Sequence, residues 1–148
     1  MSKKLAITGG SRGIGRGIVR RMAKEGYDIA FTYSSERGKA QAEALVEEVT
    51  EKYAVKCFMH QFALNEKGTA EEFVRTAYDE LGGLDLLICN AGQSLVNSIY
   101  EMDEKTIDFL INLDFRSYLM AAREAGRIMG KQSGSLEDMV TMGWQRDE

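Results

Sequence analysis

The sequence predicts an α/β protein built on a doubly wound parallel sheet, shortened after its fourth βα unit. Short apolar runs alternate with amphipathic stretches, so that a strand pattern and a helix pattern follow one another four times. The strand runs are apolar almost throughout, which is typical of parallel strands covered on both faces. With 148 residues, the chain is long enough for one core, and we expect a single domain over residues 1–148.

The first βα unit is marked by a change of apolar spacing. Its strand is expected at residues 4–8, a short apolar run that leads directly into glycine. Apolar side chains then recur at the spacing of a helix, at Ile14, Ile18 and Met22. Gly26 stands where this helix would end, because glycine tolerates the left-handed backbone of a helix C-terminus.

The second and third units repeat the alternation. Residues 28–33 (DIAFTY) and 55–62 are the expected strands. Thr69 and Glu72 match a capping box, which predicts the start of the third helix, and Gly82 marks its end. The apolar faces of the two helices are predicted to consist of Ala42, Leu45, Val46, Val49 and Tyr53, and of Phe73, Val74, Ala77 and Leu81.

The fourth strand is expected at residues 84–90 (LDLLICN), and a long helix begins near Asp103. The predicted buried face of that helix consists of Ile107, Leu110, Ile111 and Tyr118. No β-rich run follows Gly130, so the predicted sheet stops at its fourth strand. That strand would then lie at a sheet edge, where apolar strands tend to pair with other chains.

Composition excludes several classes of function. The net charge is −4 with scattered basic residues, which argues against a nucleic-acid surface. No run of 18 apolar residues suits a membrane span, and the N-terminus has no secretory pattern. Cys57 and Cys89 lie in apolar runs, which favours buried reduced thiols in the cytoplasm over a disulfide. One histidine and no CxxC pattern argue against a metal site.

The stretch TGGSRGIG, residues 8–15, joins the first strand to the first helix. Gly9 suits a tight turn, Gly13 allows a ligand to approach the helix start, and Gly15 lets the helix pack near the sheet. Free N–H groups and the helix dipole then favour a pyrophosphate. The pattern predicts a dinucleotide site; the alternative is a glycine-rich turn without a ligand.

The spacing TGxxxGIG resembles the glycine motif of the short-chain dehydrogenase/reductase family. Three further matches occur in order: Asp85, Asn90-Ala91-Gly92 and Asn112. Together they extend the resemblance over residues 1–130. Within the family, the overall sequence pattern is most similar to that of the 3-oxoacyl-[acyl-carrier-protein] reductases. The resemblance implies a Rossmann-type fold and hydride transfer between a nicotinamide cofactor and a small carbonyl compound or secondary alcohol.

The resemblance also assigns roles to residues. Asn90, Ala91 and Gly92 would line the adenosine and nicotinamide-ribose side of the cofactor. Asn112 would open a helix kink and hold a water in a proton relay, which makes it the candidate catalytic residue. Ala63 replaces the family's aspartate after the third strand, so Leu64 is left to pack on the adenine. The predicted cofactor-binding set is Gly9, Ser11, Arg12, Gly13, Ile14, Gly15, Ser34, Ser35, Leu64, Asn90, Ala91 and Gly92.

The end of the second strand favours NADP(H) over NAD. NAD sites place an acid there to bind the ribose hydroxyls, whereas residues 30–35 (AFTYSS) contain none. Arg12 is suited to a 2′-phosphate, because its guanidinium makes bidentate contacts with anions. Ser34 and Ser35 offer further hydrogen bonds, and Arg37 is a more distant candidate.

The catalytic residues that the resemblance implies are not found in this sequence. The resemblance calls for a serine and a Tyr-x-x-x-Lys pair, yet none of the six tyrosines has lysine four residues later. Residues 131–148 form an atypical tail, which reflects either a skipped segment or an unrelated sequence. The leading hypothesis is an NADP(H)-dependent oxidoreductase that forms homo-oligomers or self-associates. The alternative is a non-catalytic dinucleotide-binding module or a truncated family member.

Overall fold

A four-stranded parallel sheet organises the molecule. The computed structural model describes residues 1–96 and 98–133, and its strands lie in the order β3-β2-β1-β4. The strand order reverses beside β1, which places a crevice at the carboxyl ends of the strands. This arrangement confirms the predicted fold class. The strands are β1 (Lys4–Ile7), β2 (Asp28–Tyr33), β3 (Cys57–Gln61) and β4 (Leu86–Ile88).

Helices cover both faces of the sheet. The first three are α1 (Gly13–Lys24), α2 (Lys39–Tyr53) and α3 (Thr69–Leu81), with a 3₁₀ turn at Glu36–Gly38. The last helical stretch consists of α4 (Glu104–Leu110), a π-helical segment (Ile111–Arg116) and α5 (Ser117–Ser133). Helices α1 and α2 pack on one face of the sheet, and α3 and α5 pack on the other.

Strand alternation divides the core into two layers. Leu5 and Phe31 face the layer of α1 and α2, whereas Ala6 and Ala30 face the layer of α3 and α5. Successive side chains of a strand point to opposite faces, so one apolar run supplies both layers. The register of the strands places residues of the same layer side by side, because Leu5 lies beside Ile29 of β2 and Leu86 of β4.

Helix α3 does not begin with the predicted capping box. Gly68 is the N-cap residue, with φ at +85°, and Thr69 already lies inside the helix. The Thr69 hydroxyl donates to the carbonyls of Ala63 (3.0 Å) and Glu66 (2.8 Å). The Glu72 N–H donates to the Gly68 carbonyl at 3.0 Å instead. The hydroxyl thus secures the preceding loop rather than the helix end.

The long helix predicted from Asp103 is interrupted by the π-helical segment. Asp103 is the N-cap, and its carboxylate accepts from the Thr106 N–H at 2.8 Å. The predicted buried face was wrong at Ile107 and Ile111, which are 36% and 51% exposed. In the part of the chain that the structure describes, this side of the helix has no covering element. The buried face lies further on, at Ala121, Ala125 and Met129.

Strand β4 lies at the edge of the described sheet, as predicted, but it spans three residues rather than the expected seven. The tail expected over residues 131–148 lies outside the described residues from 134 onward. Cys57 and Cys89 are free thiols, the former buried and the latter half-buried. Within residues 1–96 and 98–133, no helix is long and apolar enough to cross a membrane.

Candidate functional site

A cleft of about 500 Å³ opens at the carboxyl ends of the strands. The loops after all four strands contribute to it, as expected where the strand order of a parallel sheet reverses. Of the predicted site residues, all except Ser35 and Asn112 line this cleft. The lining residues are Gly9, Ser11, Arg12, Gly13, Ile14, Gly15, Thr32, Tyr33, Ser34, Phe62, Ala63, Leu64, Asn65, Asn90, Ala91, Gly92, Gln93, Phe109 and Leu113.

The turn after β1 depends on Gly9. Its φ is +70°, a left-handed conformation that glycine adopts without strain. A Cβ atom at this position would lie 2.8 Å from the Ala91 Cα. The Gly9 N–H donates to the Thr32 hydroxyl at 2.9 Å, which ties the turn to the end of β2. Glycine is therefore required for both conformation and close approach.

Gly15 is also required, because the start of α1 lies very close to the ends of two strands. A Cβ atom there would lie 2.0 Å from the Gly9 carbonyl oxygen and 2.6 Å from Asn90 Nδ2. At its first turn, helix α1 therefore packs on the glycine turn and on Asn90, and further along it packs on the sheet through Val19 and Ala23. This contact brings the first turn of α1 to the floor of the cleft.

Asn90 and Thr8 join the loop after β4 to the glycine turn. The Asn90 amide donates to the carbonyls of Thr8 (3.2 Å) and Gly9 (2.9 Å). The Thr8 hydroxyl accepts from the backbone N–H groups of Asn90 and Ala91, both at 3.0 Å. Thr8 is almost fully buried, so these bonds are shielded from water. The Asn-Ala-Gly segment and the glycine turn therefore form one rigid corner.

The electrostatics of the cleft favour an anion. Within residues 1–96 and 98–133, Arg12 is the one charged residue that lines the cleft, and none of the lining residues is an acid. The Arg12 side chain is exposed and forms no ion pair with any residue in the described ranges. The first turn of α1 contains no acid, so its unpaired N–H groups and the helix dipole face the cleft uncompensated. These are the features that bind phosphate groups at a helix N-terminus.

The predicted adenine contact, Leu64, and one of the two predicted serines, Ser34, line the cleft. Leu64 lines the cleft beside Ala63 and Phe62, and its side chain is 5% exposed. Ser34 directly follows β2 and lines the cleft. Ser35 precedes the 3₁₀ turn and is not among the lining residues. Its predicted hydrogen bond to the cofactor therefore remains a prediction.

Asn112 lies in the π-helical segment and does not line the cleft. Its carbonyl accepts from the Ser117 N–H, which is the widened hydrogen bond of a π turn. A π turn therefore widens the helix around Asn112, and the kink expected there stays a prediction. The neighbouring Leu113 and Phe109 line the cleft instead. The proton-relay role of Asn112 stays a prediction.

Sequence reasoning missed several lining residues. Thr32 is almost fully buried at the end of β2, and a hydroxyl in an apolar strand was a usable signal. Phe109 and Leu113 are four residues apart on one helix face, but the sequence does not show which face meets the sheet. Gln93 has no signal beyond its place after the Asn-Ala-Gly segment.

Tyr118 lies beside the Asn-Ala-Gly loop, where its hydroxyl oxygen would be 3.9 Å from a Cβ atom at Gly92. Burial, with the nearby Cys89 and Asp114, raises the pKa of Tyr118 to about 12. An effective general acid has a pKa near the working pH. Tyr118 is therefore poorly suited to proton transfer near neutral pH.

Known proteins share this architecture. A family model described as short chain dehydrogenase matches residues 3–136. The 3-oxoacyl-[acyl-carrier-protein] reductase of Staphylococcus aureus is 31% identical over 143 residues, covering 96% of this chain and 57% of the relative. The NADP-dependent mannitol dehydrogenase of Hypocrea jecorina is also 31% identical, with 95% of this chain and 53% of the relative covered.

Solved structures agree with these matches. A blue fluorescent protein from a metagenomic library, in complex with NADPH, has a TM-score of 0.79 and 37% identity over 84% of this chain and 50% of its own. A short chain dehydrogenase from Burkholderia cenocepacia, in complex with NADP, has a TM-score of 0.80 and 31% identity over 85% and 50%. The chain spans about half the length of these relatives. The family model over residues 3–136, the sequence identity to these relatives and the fold show that the chain belongs to the short-chain dehydrogenase family.

Proposed function

We propose that this chain binds NADP(H) and serves an oxidoreductase that moves hydride between the cofactor and a small carbonyl compound or secondary alcohol. The observation that carries the proposal is the charge of the cleft: Arg12 is its one charged residue in the described part of the chain, and none of the lining residues there is an acid. Solved relatives in complex with NADPH and NADP support the choice of cofactor.

The residues of the cleft fit the parts of the cofactor. The first-turn N–H groups of α1 would bind the pyrophosphate, as helix N-termini do. Arg12 and Ser34 would bind the 2′-phosphate, since no carboxylate at the end of β2 repels it. Leu64 would contact the adenine, and Asn90 to Gly92 would face the nicotinamide ribose. When bound, the nicotinamide supplies the hydride.

Catalysis needs groups that this sequence does not contain in the family's pattern. No tyrosine is followed by lysine at the fourth position, so Asn112 is the one candidate for the proton relay. The same observation favours a second candidate function: a non-catalytic dinucleotide-binding module. That module would bind NADPH through the same cleft and leave it unoxidised.

One experiment separates the two candidates. NADPH binding to the 148-residue chain is measured by fluorescence, and NADPH oxidation is followed in parallel with a panel of small ketones and aldehydes. Binding with substrate-dependent oxidation supports the oxidoreductase, and loss of turnover in Asn112→Ala with binding intact would support the relay. Binding without oxidation favours the module. Absence of NADPH binding would contradict both.

We also propose a cytosolic, self-associating protein. The two described cysteines are free thiols, as expected in a reducing compartment. Four apolar side chains form an exposed stripe at helical spacing: Ile107, Ile111, Phe115 and Leu119. A second copy of the chain is the occupant that we propose for this stripe.

A further inference from the structure

We propose that Asp114 is a positioning residue, whose carboxylate holds the loop after β4 in the conformation that forms part of the cofactor cleft. The proposal rests on the NADP(H) site proposed above. The Gln93 N–H donates to Asp114 Oδ1 at 3.0 Å. Gly92 and Gln93 line the cleft, whereas Asp114 does not. The carboxylate therefore acts on the cleft through the loop, without touching the ligand site.

The segment 90–93, at the start of the loop, has an anchor at each end. The buried Thr8 hydroxyl accepts from the N–H groups of Asn90 and Ala91, which ties the beginning of the loop to β1. The N–H of Gln93 is tied to the helix by Asp114. Side-chain anchors on both sides of Gly92 limit its movement into the cleft. Removal of Asp114 would leave the Gln93 end of this segment without its side-chain anchor among the described residues.

The π-helical segment brings Asp114 to the loop. The Ser117 N–H bonds to the Asn112 carbonyl five residues earlier, so the helix widens across Ile111–Arg116. A π turn rotates the following positions relative to a regular α-helix. In this register Leu113 lines the cleft and the adjacent Asp114 meets the loop. Two neighbouring residues of the π-helical segment thus have different partners: Leu113 lines the cleft, and Asp114 accepts from the backbone of the loop.

Gly92 is matched to this carboxylate. A Cβ atom at Gly92 would lie 3.2 Å from Asp114 Oδ1, closer than ordinary van der Waals contact. Gly92 is not among the glycines with positive φ, so alanine there carries no backbone strain. A side chain at position 92 would therefore displace the Asp114 carboxylate, so substitutions at the two positions should be energetically coupled.

The first test measures the tether without any ligand. Hydrogen exchange of the Gln93 amide is followed by NMR in the 148-residue chain and in Asp114→Ala. Loss of one exposed, charge-assisted hydrogen bond should accelerate exchange roughly three- to tenfold. Asp114→Asn keeps an acceptor oxygen and should restore most of the protection. Asp108→Ala, an exposed acid on the same helical stretch, is the control and should change nothing at Gln93.

The second test measures the consequence for NADPH. Asp114→Ala should weaken NADPH binding roughly three- to tenfold, and Asp114→Asn should stay near the wild-type affinity. Gly92→Ala should weaken binding in the wild-type background and have less effect in Asp114→Ala, because the side chain that it would meet is gone.

The outcomes are separable. Unchanged Gln93 exchange in Asp114→Ala, faster exchange with unchanged NADPH affinity, or additive effects of the two substitutions would each overturn the positioning role. A wild-type chain that fails to bind NADPH contradicts the proposed function and this role together. The exchange measurement still decides whether the tether itself exists.

Discussion

At the scale of single residues, two features set the character of the cleft. One is the unpaired guanidinium of Arg12 at the start of α1, and the other is the missing acid at the end of β2. A cation beside free helix N–H groups attracts phosphate, and a carboxylate would repel it. The selectivity for a 2′-phosphate would therefore arise from the presence of Arg12 and from the lack of an acidic side chain at the end of β2.

Arg12→Ala should weaken NADPH binding about tenfold or more while NADH binding changes little. The reason is that a charge-assisted pair with the 2′-phosphate is lost, and NADH has no such phosphate. Titration of both cofactors measures the effect. Arg21→Ala is the matched control, because Arg21 is exposed on the same helix and pairs with Glu25. An equal loss for both cofactors would contradict the assignment of Arg12.

Residue-level prediction succeeded where a local backbone pattern carries the information. The glycine turn and Asn90 were predicted, because strand, turn and helix are contiguous there. Thr32 and Gln93 were missed, since their partners are Gly9 and Asp114, which are distant in the sequence. Such contacts are set by the packing of whole elements, and the one local signal was the Thr32 hydroxyl within an apolar strand.

At the scale of elements, the joint between β1 and α1 is the most constrained part of the fold. Gly15 and Gly17 lie two residues apart on α1, with opposite surroundings. A Cβ at Gly15 would meet the Gly9 carbonyl oxygen at 2.0 Å, whereas a Cβ at Gly17 would meet nothing within 4 Å. The two positions thus form a matched pair for testing the close approach.

Gly15→Ala should lower the free energy of unfolding by about 1–3 kcal/mol or more, because the turn and Asn90 must move. Gly17→Ala should raise it by about 0.4–1 kcal/mol, since alanine has the higher helix propensity and no clash arises. Urea denaturation of both variants measures the difference. Similar effects at the two positions would refute the close packing of α1 on the turn.

The raised pKa values of two cysteine thiols predict that the stability of the fold depends on pH. Burial raises the pKa of Cys57 to about 12 and that of Cys89 to about 11, from an ordinary value of 9.0. Above pH 9 the unfolded chain loses these protons first, so stability should fall as pH rises from about 9 towards 11–12.

Cys57→Ala and Cys89→Ala should each reduce that loss of stability at alkaline pH. Thermal unfolding at several pH values measures it, with native thiol labelling at pH 8 as an independent check that both groups react slowly. Rapid labelling of the folded chain would show that the thiols are not protected as described.

The order and type of the elements could be predicted because strand and helix have different apolar periods. Strand β2 was predicted with its observed bounds, 28–33, and the helix end at Gly82 has the expected positive φ. The π-helical segment was not predictable, since its apolar spacing is that of an ordinary helix. The exposure of Ile107 and Ile111 followed from tertiary packing alone.

At the scale of the whole molecule, the described chain leaves two surfaces that favour association. Strand β4 is an edge of the described sheet, and the stripe of Ile107, Ile111, Phe115 and Leu119 is exposed. Exposed apolar side chains grouped in this way mark interaction sites. The three-residue length of β4 makes the helical stripe the stronger candidate.

Phe115→Asp should shift the chain towards the monomer, because a charge in an apolar contact must be desolvated without a partner. Sedimentation velocity at several protein concentrations measures the shift. Ala40→Asp places the same charge on exposed α2, across the sheet, and should leave association unchanged. A wild-type chain that stays monomeric at all concentrations and unfolds in one sharp, reversible transition would contradict self-association.

The central claim is that the cleft at the glycine turn is an NADP(H) site. Isothermal titration of the 148-residue chain with NADPH and with NADH, under identical ionic strength, tests it most directly. We predict one site per chain and an affinity for NADPH at least about tenfold above that for NADH, as a charge-assisted phosphate contact implies. Tighter binding of NADH, or no binding of either cofactor, would contradict the account.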